Sequence, residues 1–202
     1  MGNVIRHEVE VCTLFLSMAR TQTTSISLGF QAPEFSLPDP KSGKKLSLSD
    51  IKGTKGTLVI FMCNHCPFVV HVIDELVRLG NDYLNSGINI VAINSNDVEN
   101  YPDDSPEKMK QLSKEKQIPF PYLFDESQEV AKAYDAVCTP DFSVFDAAMK
   151  CIYRGQLDGS RPGNDVSVDG RDIRMVFEAI LAGEEVVKNQ IPSLGCNIKW
   201  KQ

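Results

Sequence analysis

The sequence predicts an α/β fold, a sandwich of helices around a mixed central sheet, and three observations carry that expectation. Two largely apolar runs of strand length, 57–62 and 88–93, read as central buried strands. Between them, Val69, Val72, Ile73, Leu76, Leu79 and Tyr83 recur at steps of three and four, the spacing of one apolar helix face. Farther along, Asp141–Asp146 and 151–155 are strand-like segments joined by the short link 147–150, which reads as a hairpin. Strand–helix alternation closed by an antiparallel hairpin gives a sheet of mixed direction.

The elements follow in order. Pro33, Pro38 and Pro40 make 32–41 an extended segment, and 44–48, after the Ser42-Gly43 turn, is a short edge strand. Pro67 opens the long helix, and Ser86-Gly87 closes it. A polar loop spans 94–105. Ser105-Pro106-Glu107 then starts a second helix with a capping hydroxyl, a proline in the first turn and an acid near the positive helix end. That helix stops before Pro119; 120–124 is a short strand and 127–134 a short helix. After the Gly- and Asp-rich loop 158–170, an amphipathic helix over 173–181 ends at Gly183.

A chain of 202 residues suits one domain and can bury its core without disulfides or a structural metal. Hydrophobic residues at 42% and charged residues at 24% exclude a disordered or fibrous chain. Basic residues number 21 against 27 acidic, a net −6, with no Lys/Arg run, so nucleic acid is not an expected partner. No apolar stretch reaches the roughly 18–20 residues that cross a bilayer, so a soluble chain without a membrane partner is expected. The apolar run 13–19 has the shape of a secretory core, but Glu8 and Glu10 outweigh Arg6 before it, against the positive flank a signal requires. We therefore expect 1–26 to be an accessory extension, with Met18 as an alternative start and the polar run 20–25 poorly ordered. The domain covers 27–183, a tail covers 184–202, and the expected location is the cytoplasm rather than the periplasm or exterior.

Six cysteines are too few for a disulfide scaffold, and four of them (Cys12, Cys138, Cys151, Cys196) are scattered as small buried hydrophobes usually are. Cys63 and Cys66 form a Cys-x-x-Cys pair where a buried strand gives way to a helix. A helix N-terminus offers unpaired N–H groups and partial positive charge, which favour the reactive thiolate. The spacing lets a disulfide form and open reversibly, and His65 between them can donate to the thiolate and, when protonated, depress the thiol pKa. Pro67 decides which sulfur attacks. Proline fits the first helical position, which makes Cys66 the N-cap; with Cys63 as N-cap, Pro67 would delete the first intrahelical hydrogen bond. Cys66 is thus the expected nucleophile and Cys63 its partner. Half of a structural zinc site is the alternative, but no second ligand pair exists, His7 and His71 being isolated. No metal or cofactor is expected. Thr139-Pro140 precedes a strand that cannot hold proline in its interior, for which a cis bond is one reason and an ordinary trans turn the other.

Residues 59–67, Val-Ile-Phe-Met-Cys-Asn-His-Cys-Pro, and 138–146, Cys-Thr-Pro-Asp-Phe-Ser-Val-Phe-Asp, together resemble the thioredoxin-fold redoxins. More closely they resemble the alkyl hydroperoxide reductase/thiol-specific antioxidant superfamily and its thiol-disulfide reductase branch, over about residues 28–183. The segment 192–201 is similar to the tail of a little-characterised subgroup. The resemblance implies a thioredoxin-like, peroxiredoxin/redoxin-type three-layer sandwich, a redox-active cysteine at the helix start and a cis proline facing it. It marks Cys66, Cys63 and Pro140, and Thr139 beside the proline is a further candidate site residue. There are departures: where peroxiredoxins carry a proline and a threonine ahead of their peroxide-reactive cysteine, this chain has Val59 and Cys63. The tryptophan that ordinary thioredoxins keep beside their pair is missing, the sole Trp being Trp200. Copper-delivery proteins of this fold place a second cysteine where Val70 stands.

Cys138 and Cys196 are candidates for further redox thiols, Cys196 as a resolving thiol or a partner of Cys138, although burial as inert thiols is the preferred reading. Cys151 and Cys12 read as structural. Asp97, Glu99, Asp103 and Asp104 read as a solvated acidic loop rather than a calcium site, and His71 as surface or packing. Arg154 and Arg161, on or beside the loop 158–170, are candidates for raising positive potential near a thiolate. The leading function is thiol–disulfide exchange with protein thiols or disulfides. The alternatives are a thiol-dependent peroxidase acting on small peroxides through Cys66, and a non-catalytic metal-carrying or redox-sensing module.

Overall fold

The structure, a computed structural model, describes residues 20–25, 27–186 and 190–202. The expectations for the apolar run 13–19, Met18, His7 and Cys12 lie outside the described residues. The chain begins with β1 (Arg20–Gln22), then β2 (Ser36–Pro38), β3 (Lys45–Ser47) and the single turn α1 (Leu48–Ile51). Ser47 ends one element and starts the next: its hydroxyl accepts from the Asp50 N–H while the Asp50 carboxylate accepts from the Ser47 N–H. There follow β4 (Gly56–Phe61), α2 (Pro67–Asp82), β5 (Ile88–Asn94), a 3-10 turn at Pro102–Asp104 and α3 (Pro106–Glu115). The rest is β6 (Tyr122–Phe124), α4 (Glu129–Ala133), β7 (Cys138–Thr139), β8 (Asp141–Asp146), β9 (Cys151–Arg154), α5 (Arg171–Ala182) and β10 (Leu194–Asn197).

The central sheet has the order β6-β5-β4-β8-β9, with β4, β5 and β6 parallel and β8 and β9 antiparallel to their neighbours. Its mixed direction follows from the sequence order: helices link the parallel strands, and a short hairpin returns the last pair. All six residues of β4 are buried, and their alternation assigns them to two cores. Leu58, Ile60 and Met62 pack with the apolar faces of α2 and α5, whereas Val59 and Phe61 pack with α1, α4 and the β2–β3 hairpin. The result is three layers, with β4 in the middle and its C-terminal end leading directly to the Cys pair.

Two segments differ from the sequence expectation. The run 20–25 is not a loose extension, because β1 pairs antiparallel with β10, which pairs in turn with β7. The tail is thus the middle strand of a second, three-stranded sheet. The loop 94–105 is not uniformly solvated either: Asn94, Asn96, Asp97 and Asp104 are all buried. Amide donors answer the carboxylates there, with Asn96 Nδ2 donating to Asp104 Oδ2 at 2.7 Å and Asn100 Nδ2 donating to Asp97. No helix among the described residues is long and apolar enough to cross a membrane.

Candidate active site

The site forms where β4 ends and α2 begins. Pro67 occupies the first helical position and Cys66 is the N-cap in an extended conformation, as the proline chemistry requires. Facing it, the Thr139–Pro140 peptide bond is cis. The Thr139 carbonyl lies 3.1 Å from Cys66 Sγ, and the Thr139 hydroxyl 3.5 Å from Cys63 Sγ. The third wall is β10, whose Cys196 is the register partner of Thr139. Cys196 packs in the same buried cluster as Cys63 and Cys66. All five described cysteines are free thiols, and Cys63, Cys66 and Cys196 are at most 2% exposed.

The shared protons sort these sulfurs. The Cys66 pKa is lowered, first by the hydrogen bond from Cys196, then by that from Cys63, with Thr139 and the Val69 N–H adding to them against burial. Cys63 is pushed up because its proton serves Cys66, and burial and the Asp104 charge act in the same direction. Cys196 is pushed up for the same first reason, its hydrogen bond to Cys66. The Thr139 carbonyl takes a proton from neutral Cys66 and disfavours the anion, but donors outnumber it. In the reduced protein the ultraviolet absorbance of one thiolate is therefore expected to persist below neutral pH. It should vanish in Cys66→Ala; a titration showing thiolate only above pH 8 or so, the range of a free cysteine, contradicts this electrostatic ordering.

His65 does not donate to the thiolate. Its Nδ1 lies 2.7 Å from Asp104 Oδ2, and its ring stacks on Tyr101 with centroids 5.6 Å apart. The Asp104 contact raises its pKa against burial, so its charge reaches Cys66 through space rather than along a hydrogen bond. Asp104 also accepts from the Asn64 N–H at 2.7 Å, which fixes the loop between the two cysteines. Sequence reasoning missed this residue. The signal was Asn94-Ser95-Asn96 at the C-terminal end of a buried parallel strand, where polar groups gather around sites. Cys63 Sγ, His65 Nδ1 and Asp104 Oδ2 lie within 4.8 Å of one another, the one grouping among the described residues able to hold a metal ion. Its atoms already serve other partners: Asp104 those above, Cys63 those around Cys66.

The other sequence candidates lie elsewhere. Cys138 points away from the pair, 3.5 Å from the Thr23 hydroxyl, and burial pushes its thiol up to about 12. Cys151 belongs to the opposite core. Arg154 is buried against Asp141 and the Tyr134 and Asp135 carbonyls, and Arg161 binds the Asp158 and Ser160 carbonyls and Gln156, so neither donates to a site sulfur. His71 Nε2 lies 2.7 Å from the Ser160 hydroxyl and ties α2 to the loop 158–170.

Gly195 was also missed. A Cβ there would stand 2.0 Å from the Thr139 carbonyl oxygen, so only glycine lets β10 press against the cis-proline turn. Gly195→Ala is expected to cost about 3 kcal/mol or more through overpacking against backbone. Denaturant unfolding measures it, and a change within about 0.5 kcal/mol, as at an ordinary surface site, would contradict the close approach.

The family model for the AhpC/TSA family matches residues 28–154. A solved structure of a conserved, uncharacterised protein from Geobacillus kaustophilus is 55% identical and covers 92% of this chain and 98% of its own, with a TM-score of 0.90. A protein of Mycobacterium tuberculosis that carries a peroxiredoxin name is 31% identical over 117 residues, 57% of this chain and 68% of its own. The thiol-disulfide oxidoreductase ResA of Bacillus thuringiensis is 26% identical over 132 residues, 65% of this chain and 71% of its own. At the level of fold alone, the thioredoxin domain of a Bacteroides vulgatus thiol-disulfide oxidoreductase matches at 22% identity with a TM-score of 0.58, covering 76% of this chain and 99% of its own. With a thioredoxin fold, a cysteine capping the helix after the central strand and a matched segment that reaches from before the first hairpin to the end of β9, the chain belongs to the AhpC/TSA family.

Proposed function

We propose that the protein is a thiol–disulfide oxidoreductase in which Cys66 is the nucleophile and Cys63 the partner that closes the internal disulfide. The observation that carries this reading is the placement of Cys66 at the N-cap of α2 with Cys63 three residues before it in the same buried cluster, both sulfurs meeting Thr139, an arrangement in which Cys66 is favoured as the anion. Cys66 attacks a partner disulfide; one partner sulfur leaves as thiolate, and a mixed disulfide remains. Cys63 then attacks Cys66, and the second partner sulfur leaves. Two protein thiols become one disulfide while the partner disulfide becomes two thiols. Thr139 and Pro140 form the wall against which the partner sulfur is presented, Thr139 through its carbonyl and hydroxyl. In a reducing compartment such as the cytoplasm, the net flow is toward reduction of protein disulfides. The test is reduction of insulin by catalytic amounts of the protein with a thiol reductant; a rate no faster than reductant alone overturns the reading.

The peroxiredoxin name of the 31% identical relative favours a second reading. In it, Cys66 attacks a small peroxide and the resulting sulfenate is captured by a neighbouring thiol. Rapid peroxide consumption by reduced protein, lost in Cys66→Ala but retained in Cys63→Ala, would select it. Against it, Cys63 stands where the peroxide-positioning hydroxyl of a peroxiredoxin would be.

A further inference from the structure

Three thiols meet at this site, and a Cys-x-x-Cys cycle uses two. Cys196, from the other end of the chain, is buried in one cluster with Cys66 and Cys63, and its position is built rather than incidental. β10 is held between β1 and β7, its register sets Cys196 opposite Thr139, and the Thr139 carbonyl lies 3.1 Å from Cys66 Sγ. The strand can come this close only because residue 195 has no side chain. Beyond Cys196 the chain stays pinned: the Lys199 N–H donates to Asn96 Oδ1, and the Lys199 carbonyl accepts from the Asp97 N–H, both at 2.8 Å. Cys196 is 2% exposed and Cys66 fully buried, so each sulfur is better placed to meet the other than to meet solvent.

We infer that Cys196 is a second resolving thiol for Cys66, so that the oxidised protein carries a Cys66–Cys196 disulfide in exchange with the Cys63–Cys66 disulfide. The inference rests on the dithiol reading of the site and adds a partner to it. Cys66 thiolate attacks one sulfur of a partner disulfide; that bond breaks, one sulfur departs as thiolate, and Cys66 is left in a mixed disulfide. Cys196 gives its proton to the departing thiolate or to water and attacks Cys66 sulfur, and the second partner sulfur leaves. Cys66 and Cys196 lose one electron each, and the partner disulfide gains both. In the internal exchange, Cys196 attacks Cys66 within the Cys63–Cys66 disulfide and Cys63 leaves as the thiolate, with no net oxidation.

β10 is also the strand covering the β7 edge beside Cys66. A Cys66–Cys196 bond would tie this covering strand to the helix start. Cys138, the other unassigned thiol of this sheet, takes no part: its sulfur is engaged with Thr23.

The experiment oxidises the reduced full-length chain with a stoichiometric aromatic disulfide, dithionitrobenzoate, and follows Cys66-dependent release of the coloured thiol against a Cys66→Ala background. Acid quenching, alkylation and peptide mass spectrometry then locate the bonds. Cys63 and Cys66 share a tryptic peptide and Cys196 lies on another, so the two disulfides are distinguished as a link within one peptide or between two. Cys63→Ser is expected to release the same two equivalents as the unmodified chain and to yield the Cys66–Cys196 cross-link. Cys63→Ser/Cys196→Ser should release half as much and retain the aryl adduct on Cys66. If Cys63→Ser stops at that adduct while the unmodified chain releases both equivalents through a Cys63–Cys66 disulfide, the role of Cys196 is overturned and the dithiol reading stands. If the unmodified chain shows no Cys66-dependent release, the dithiol reading fails, and this inference fails with it.

Discussion

Cys66→Ala is expected to abolish disulfide turnover, with a loss of about 10³-fold or more, because no other sulfur among the described residues combines a helix N-cap with donors on several sides. The fold should survive. Cys66 makes no side-chain cap hydrogen bond, so its removal leaves α2 capped as before and costs a small cavity and the 3.1 Å contact to the Thr139 carbonyl, about 1–3 kcal/mol together. Cys63→Ala is expected to behave differently, since it retains attack and slows only the closure that follows. Insulin reduction paired with thermal unfolding separates the two variants. Residual turnover in Cys66→Ala within about tenfold of the unmodified chain would move the nucleophile elsewhere.

The cap position of Cys66 was legible before the structure, because it depended on local chemistry. Pro67 can occupy the first turn of a helix at little cost, and this alone places Cys66, not Cys63, at the cap. The same holds for β4 and β5, whose largely apolar runs suit the middle of a sheet. What stayed hidden was non-local. β1 and β10 are three and four residues long, rich in polar or small side chains, and more than 170 positions apart in their register; no periodicity announces such a pair. Asp104 read as one more acid in a polar loop, because the amides that let it be buried, Asn94 and Asn96, come from a preceding strand end. His65 was paired with its sequence neighbours, although its closest charge lies 39 residues on.

Arg154→Met should be the most damaging substitution outside the thiol cluster, at about 3–5 kcal/mol, the range for removing one partner of a buried ion pair. The side chain is 3% exposed. It donates to the Tyr134 carbonyl at 3.0 Å, the Asp135 carbonyl at 2.8 Å, the Ser143 hydroxyl at 3.3 Å and Thr24, and it stands 3.5 Å from Asp141. Without it, Asp141 is a buried carboxylate with no counter-charge at hand. Burial already raises the Asp141 pKa from 3.8 to about 6, with Arg154 opposing. A carboxyl raised on folding contributes stability that is fully present below its unfolded pKa and is lost as pH rises through its folded value. The unmodified chain should therefore lose this contribution between about pH 4 and 6. In Arg154→Met the pKa rises further, and the decline should continue through neutrality. Denaturant midpoints across this range measure both slopes; parallel curves would show that Arg154 is not the counter-charge.

The pairing of β1 with β10 has a consequence for biosynthesis. During translation, the cysteine pair and the central strands emerge from the ribosome well before residues 194–197. Until then the nascent chain displays Cys66 at the start of its helix without the strand that shelters it. Pairings between such distant segments are late events in folding. The sulfur at the helix N-cap is thus open to cellular oxidants and to stray thiols until that strand has emerged.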